Sequence, residues 1–128
     1  MSNILLLESD DVVGLSITRR LEEEGHKVYC AKEPQTALHL ADKVNPSLVI
    51  TEIALIGHSG FEFLYEFRSY SDWKSVPVIV YSSQLLDPKI TNGTAWKHMR
   101  LEMYLYKPKV STRQLSNKAL EVLNGHLA

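Results

Sequence analysis

Pro46-Ser47-Leu48-Val49-Ile50-Thr51-Glu52-Ile53 is a short apolar run without polar–apolar alternation, entered from a proline and left at an acid. Leu48, Val49 and Ile50 suit a strand that is apolar on both faces, as in a parallel sheet covered by helices. In open α/β sheets, ligands sit outside the carboxyl ends of the strands. Glu52 lies where this strand ends, so its carboxylate is a candidate functional group.

Outward from that strand the same pattern recurs. Asn3 to Leu7 reads as a buried strand followed by Glu8-Ser9-Asp10-Asp11, in which Asp10 or Asp11 can cap the next helix. Val13, Ile17 and Leu21 recur every four residues as an apolar stripe, and Gly25 stops that helix. Lys27 to Ala31 is a second strand. Pro34 suits the first turn of a helix whose inner face is Ala37, Leu38, Leu40, Ala41 and Val44.

Beyond Glu52, residues 53–60 read as a loop with two glycines. Ser59 or Gly60 opens a helix with Phe61, Phe63, Leu64 and Phe67 as core. Val76 to Tyr81 is a strand ending at Ser82-Ser83. Asp87-Pro88 starts a helix toward Leu101, although Thr91-Asn92-Gly93-Thr94 are poor helix formers. Met103 to Tyr106 is a fifth strand, ending at Lys107-Pro108. Leu115, Ala119, Leu120, Leu123 and Leu127 mark a last amphipathic helix.

Alternating strands and helices argue for a parallel sheet with helices on both faces. Right-handed crossovers bring the carboxyl ends of all strands to one edge. Glu8, Ser9, Glu52, Ser82, Ser83 and Lys107 meet there.

The 128 residues suffice for one domain, spanning 1–128, with a real core. A net charge of −1 gives no support for a nucleic-acid partner. The single cysteine, Cys30, cannot close an internal disulfide; its apolar flanks predict a buried, inert thiol in a reducing cytoplasm. The apolar start Ile4-Leu5-Leu6-Leu7 is too short for a membrane span, and no basic residues precede it as in a signal peptide. His26, His39, His58, His98 and His126 show no paired spacing for a metal cluster.

Five motifs then occur in order: Ile4-Leu5-Leu6-Leu7-Glu8-Ser9-Asp10, the Pro46–Ile53 stretch, Leu55-Ile56-Gly57-His58-Ser59-Gly60-Phe61-Glu62-Phe63-Leu64, Pro77-Val78-Ile79-Val80-Tyr81-Ser82-Ser83, and Tyr104-Leu105-Tyr106-Lys107-Pro108. With them the chain resembles a response-regulator receiver domain of two-component signalling over essentially its whole length. The resemblance implies a flavodoxin-like (βα)5 fold, a doubly wound parallel five-stranded sheet, and a signalling module rather than an enzyme.

It also implies roles. Glu52 stands at the phosphoacceptor position, Glu8 and Ser9 with Asp10 at the acidic metal pocket, Ser82 and Tyr104 at the switch, and Lys107 at the pocket lysine. In the family, a histidine kinase's phosphoryl group passes to an Asp carboxylate by positioning and charge stabilisation. Magnesium held by carboxylate oxygens assists. A rearranged hydroxyl and aromatic then change the face built from the fourth helix, fifth strand and last helix. Trp96, Met99, Tyr104 and Tyr106 are the candidates there for docking a histidine kinase or an output protein.

The departures from the family pattern carry physical meaning. The acceptor position is Glu52, not Asp; the second acid is Ser9; Ile56 replaces the usual Pro; Ser83 replaces a small residue. The longer Glu projects its carboxylate about 1.5 Å further, within reach of Lys107. Losing one carboxylate weakens magnesium binding at Glu8 and Glu52, unless Asp10 bends inward to compensate. The expectation is a pseudo-receiver with phosphotransfer lost or reduced, no other cofactor, and signalling through protein contact. The Lys107–Glu52 pair then either locks the pocket or mimics the activated state.

Two other readings remain at this point. One is a genuine magnesium-dependent receiver phosphorylated on Glu52, Asp10 or Asp11. The other is a flavodoxin-like ligand-binding domain or small enzyme, against which the acidic Glu8-Ser9-Asp10-Asp11 stands where a Gly-rich phosphate loop would be.

Overall fold

A computed structural model describes residues 2–127, with side chains through Gly125. His126 and Leu127, the latter expected on the inner face of the last helix, lie outside the described side chains. Strand β1 (Asn3–Leu7) is followed by α1 (Asp11–Glu23), β2 (Lys27–Ala31), α2 (Pro34–Val44) and β3 (Leu48–Thr51). A short ribbon, β4 (Ala54–Leu55) and β5 (His58–Ser59), leads into α3 (Gly60–Ser69) and a 3-10 turn at Ser71–Trp73. Then come β6 (Val78–Ser82), α4 (Pro88–Thr91), α5 (Thr94–Met99), β7 (Met103–Tyr106), a second 3-10 turn at Lys107–Lys109, and α6 (Thr112–Leu127).

Five strands pair in parallel in the order β2-β1-β3-β6-β7. The unbroken apolar runs now have a reason, because successive side chains point to opposite faces and both faces are covered. Leu5, Leu7, Val49, Val78 and Val80 pack with Ala37, Ala41, Phe63, Leu64, Phe67 and Met99, beneath α2, α3 and α5. Ile4, Leu6, Leu48, Ile50, Ile79 and Tyr81 pack with Ile17, Leu21, Leu115, Ala119 and Leu123, beneath α1 and α6. The order reverses between β1 and β3, the crevice where such sheets place their ligands.

Several local expectations are corrected. Residues 54–59, read as a loop, close an antiparallel ribbon with Gly57 in the left-handed region at φ 71°. The helix expected from Asp87 to Leu101 is two short ones broken at Asn92-Gly93, where poor helix formers leave backbone groups to end α4 and begin α5. Phe61 is half-buried, while Met99, expected as a docking residue, is buried. Leu120, expected on the inner face of the last helix, is exposed. Among the described residues no helix is long and apolar enough to cross a membrane.

Cys30 is not buried but exposed. Its apolar flanks were a poor guide because β2 is the edge strand of the sheet, and of its five residues only Ala31 is buried. Partial burial and the nearby Glu8 carboxylate push its thiol pKa up, so little thiolate exists at neutral pH. Native protein is therefore expected to react with a disulfide reagent completely, but more slowly at neutral pH than a free cysteine, with the rate climbing as pH rises. Resistance of Cys30 to labelling without denaturant would contradict its exposure.

Candidate functional site

The candidate side chains come from strand ends. Glu8 follows β1, Glu52 follows β3, Ser83 follows β6 and Lys107 follows β7, so parallel pairing brings all four to one edge. Backbone bonds hold the two acids in place: Glu8 N–H donates to Ala31 O at 2.9 Å, and Glu52 N–H to Leu7 O at 2.9 Å. The chain then turns so tightly that a Cβ on Gly60 would lie 2.2 Å from the Glu52 carbonyl oxygen. Only glycine lets α3 begin that close. Ser59 caps α3, its Oγ accepting from Phe61 N–H at 3.1 Å while Glu62 accepts from Ser59 N–H at 3.1 Å.

Both acids are almost sealed from solvent, Glu8 at 4% exposure and Glu52 at 3%. Lys107 Nζ donates to Glu8 Oε1 in a very short contact and lies 3.5 Å from Glu52 Oε1. Two buried carboxylates therefore share one ammonium. Buried charge is tolerated only where partners satisfy it, and the remaining oxygens are satisfied as well. Glu8 Oε2 accepts from Asp10 N–H at 3.1 Å. Glu52 Oε1 accepts from Ser83 Oγ at 2.8 Å and from Ser83 N–H at 3.1 Å, and Glu52 Oε2 accepts from Ile53 N–H at 3.1 Å.

The other sequence candidates are placed as follows. Asp10 is the cap of α1, its carboxylate accepting from Val12 N–H at 2.9 Å and Val13 N–H at 3.1 Å. Ser9 Oγ accepts from Ile56 N–H at 3.1 Å, tying the loop after β3 to the end of β1. Asp11 is at the surface, paired with Lys32. Ser82, the expected switch hydroxyl, is fully buried and accepts from Gln84 N–H at 3.1 Å.

The hydroxyl that meets Glu52 belongs to Ser83, which the sequence reading did not pair with it. The available signal was the extra methylene of Glu52, which carries its carboxylate past the end of β6. Tyr104 OH donates to Gln84 O, and its ring packs 6.2 Å from that of Trp96. Burial pushes the Tyr104 phenol up, partly offset by a hydrogen bond from Ser82 and reinforced by the Glu52 charge. Glu52 and Tyr104 thus hold adjacent residues of the β6–α4 loop, Ser83 and Gln84, by separate hydrogen bonds.

Magnesium does not fit this donor set. It needs several oxygens in near-octahedral geometry. Here Lys107 sits on Glu8 and beside Glu52, Asp10 is turned to α1, and Ser9 to Ile56. Among the described residues no group of three or more His, Cys, Asp or Glu is placed to hold a metal.

Residues 4–119 match the family model described as the response regulator receiver domain. The KDP operon transcriptional regulatory protein KdpE of Escherichia coli is 32% identical over 84 residues, 66% of this chain and 36% of that protein. The probable transcriptional regulator ycf29 of Pyropia yezoensis is 30% identical over 125 residues, 98% of this chain and 53% of that protein. Protein PilH of Pseudomonas aeruginosa is 25% identical over 108 residues, 84% of this chain and 87% of that protein. The chain thus spans about a third to a half of the first two relatives.

Among solved structures, the chemotaxis protein CheY4 of Vibrio cholerae aligns with a TM-score of 0.83 at 22% identity, covering 96% of this chain and 98% of that one. A CheY-like receiver domain protein of Methanospirillum hungatei gives 0.84 at 22% identity, covering 98% and 95%. These likenesses carry the fold, and the match over residues 4–119 carries the family. With its five-stranded parallel sheet and its acids and lysine gathered at the strand ends, the chain belongs to the response regulator receiver domain family of two-component signalling.

Proposed function

We propose that this chain is a pseudo-receiver, a signalling module whose phosphorylation site is filled from within by Glu52. The observation that carries this reading is the saturation of the Glu52 carboxylate. It accepts both the N–H and the O–H of Ser83 and lies 3.5 Å from Lys107 Nζ. Those donors, a hydroxyl, an amide and an ammonium, are the kinds of group that stabilise a phosphoryl oxygen. With them engaged by a side-chain carboxylate, an incoming phosphoryl donor meets neither a free acceptor nor a metal-ready set of oxygens. Glu52 acts as a positioning residue, holding the β6–α4 loop inward without any covalent step.

The chain then works by protein–protein contact in the cytoplasm, without catalytic activity of its own. Its docking face is α4 and α5, β7 and α6, where half-buried Trp96, Tyr104 and Tyr106 are the available aromatic residues. The partner is a histidine kinase or an output protein. Incubation with acetyl phosphate and magnesium, followed by intact-mass measurement, tests the reading. No phosphoryl adduct is expected under conditions that label an ordinary receiver. Stoichiometric labelling that is lost in Glu52→Gln would overturn it in favour of a genuine phosphoryl-accepting receiver.

A further inference from the structure

A second concavity lies away from the acidic site. It is a groove of about 540 Å³ between α3 and the broken α4–α5 segment. Its walls are the rings of Phe61, Tyr65 and Trp96, with Ile90 and Met99 between them, and Lys89 is the single charged residue of the lining. The size is that of a pocket for one small organic molecule, and apolar walls with one polar anchor are the usual make-up of such pockets. The groove lies where α4 and α5 are interrupted, and Gly93 at the break is part of its lining. Tyr65 and Ile90 remain substantially exposed, at 45% and 43%, which is unfavourable for large apolar groups left to water.

The charge pattern narrows the occupant. Among the described residues the Lys89 side chain makes no ion pair, although its backbone N–H is held by Asp87. The acids of the facing helix are directed elsewhere. Glu62 binds Ser59 N–H and His58, and Glu66 lines the groove on the other side of α3. His98 stacks on Tyr65 at 6.2 Å and adds no negative charge. A flat apolar molecule carrying one anionic group would place its rings between Phe61, Tyr65 and Trp96 and its charge at Lys89.

We propose that this groove binds a small aromatic or polycyclic acid, and that binding controls the module. The groove shares walls with the docking face. Trp96 packs on Phe61 at 6.4 Å and on Tyr104 at 6.2 Å, and Tyr104 OH holds Gln84 O in the β6–α4 loop. A ligand seated against Trp96 therefore bears on the same loop that Glu52 holds through Ser83. The controlling role rests on the phosphorylation-independent reading above, whereas the binding does not, so the two fail in separate experiments.

The test uses anilinonaphthalene sulfonate, an aromatic anion, and phenylnaphthylamine, its neutral counterpart, as fluorescent probes on the whole chain. The anion is expected to bind saturably at one site, with amide NMR shifts at Gly93, Trp96, Tyr104 and Gln84. Lys89→Gln, at an exposed position, should weaken the anion about fivefold and leave the neutral probe unchanged. Ala95→Phe, which fills the groove from α5, should weaken both probes about tenfold or more while thermal unfolding stays cooperative. Binding of the anion that is unsaturable, or unaltered by both substitutions, would overturn the site. Equal affinity for the two probes in the unsubstituted protein would overturn the acidic ligand class. Shifts confined to Gly93 and Trp96, without Gln84, would overturn the control role.

Discussion

Lys107→Met is expected to destabilise the protein by about 3 kcal/mol, more than any surface substitution, because it leaves Glu8 and Glu52 buried without their shared cation. The methionine fills much of the same volume, so the loss is electrostatic rather than a cavity. The signature that separates this from ordinary packing damage is rescue. Adding Glu52→Gln to Lys107→Met removes one buried charge and keeps an acceptor for Ser83, so the double substitution should be more stable than Lys107→Met alone. Urea unfolding of the four species closes the cycle. Simple addition of the two single effects would contradict the shared-ammonium description.

Arg68→Met is the second large effect, also expected at about 3 kcal/mol. Arg68 is 2% exposed near the end of α3, where burial lowers its pKa and the Glu102 charge partly offsets that. Its guanidinium donates to backbone carbonyls. Nε reaches Met99 O at 2.7 Å, Nη1 reaches Trp73 O at 2.8 Å and Lys74 O at 3.4 Å, and Nη2 reaches Arg100 O at 3.2 Å. Met99 and Arg100 end α5, where a cation suits the partial negative charge of the carbonyls. Arg100 takes a left-handed φ of 48° at that point, and the chain turns into β7. Removing the fork leaves buried carbonyls unpaired. Hydrogen exchange at Glu102 N–H, which bonds Val78 O at 2.8 Å, should accelerate. Arg68→Lys keeps the charge but not the fork, and is expected to recover less than half of the loss.

These two residues show where sequence reading succeeds and stops. Lys107 was legible because a lysine after an apolar strand must sit at the carboxyl edge, and parallel topology sends every such edge to one place. The five strands of the parallel sheet and α1, α2 and α3 were legible because their apolar patterns match the burial that a two-faced sheet imposes. Arg68 was not, because an arginine after Phe67 reads as a solvated residue unless one knows that α5 ends over it. Cys30 was misjudged because its flanks say apolar, while only the strand order says edge. The Ser82–Ser83 pair could not be divided by type, since both are serine. Register puts Ser82 inside β6 and frees Ser83 to reach Glu52. The break between α4 and α5 was foreshadowed by Asn92-Gly93, yet the open groove at that break needed the neighbouring helix in place.

Glu52 joins the fold to the proposed role. A shorter carboxylate there would stop nearer the end of β3, leaving Ser83 and Lys107 to answer an external group. The longer one spans the gap and closes a network that runs from Glu8 through Lys107 and Glu52 to Ser83, next to the Gln84 that Tyr104 holds. Amide NMR during titration with magnesium and then beryllofluoride, a phosphoryl mimic, tests that closure most directly. Resonances of Glu8, Glu52, Ser83 and Lys107 are expected to stay in place at millimolar metal and not to respond to the mimic. Saturable shifts at those residues, extending to Tyr104, would show an open, metal-binding phosphorylation site and contradict it.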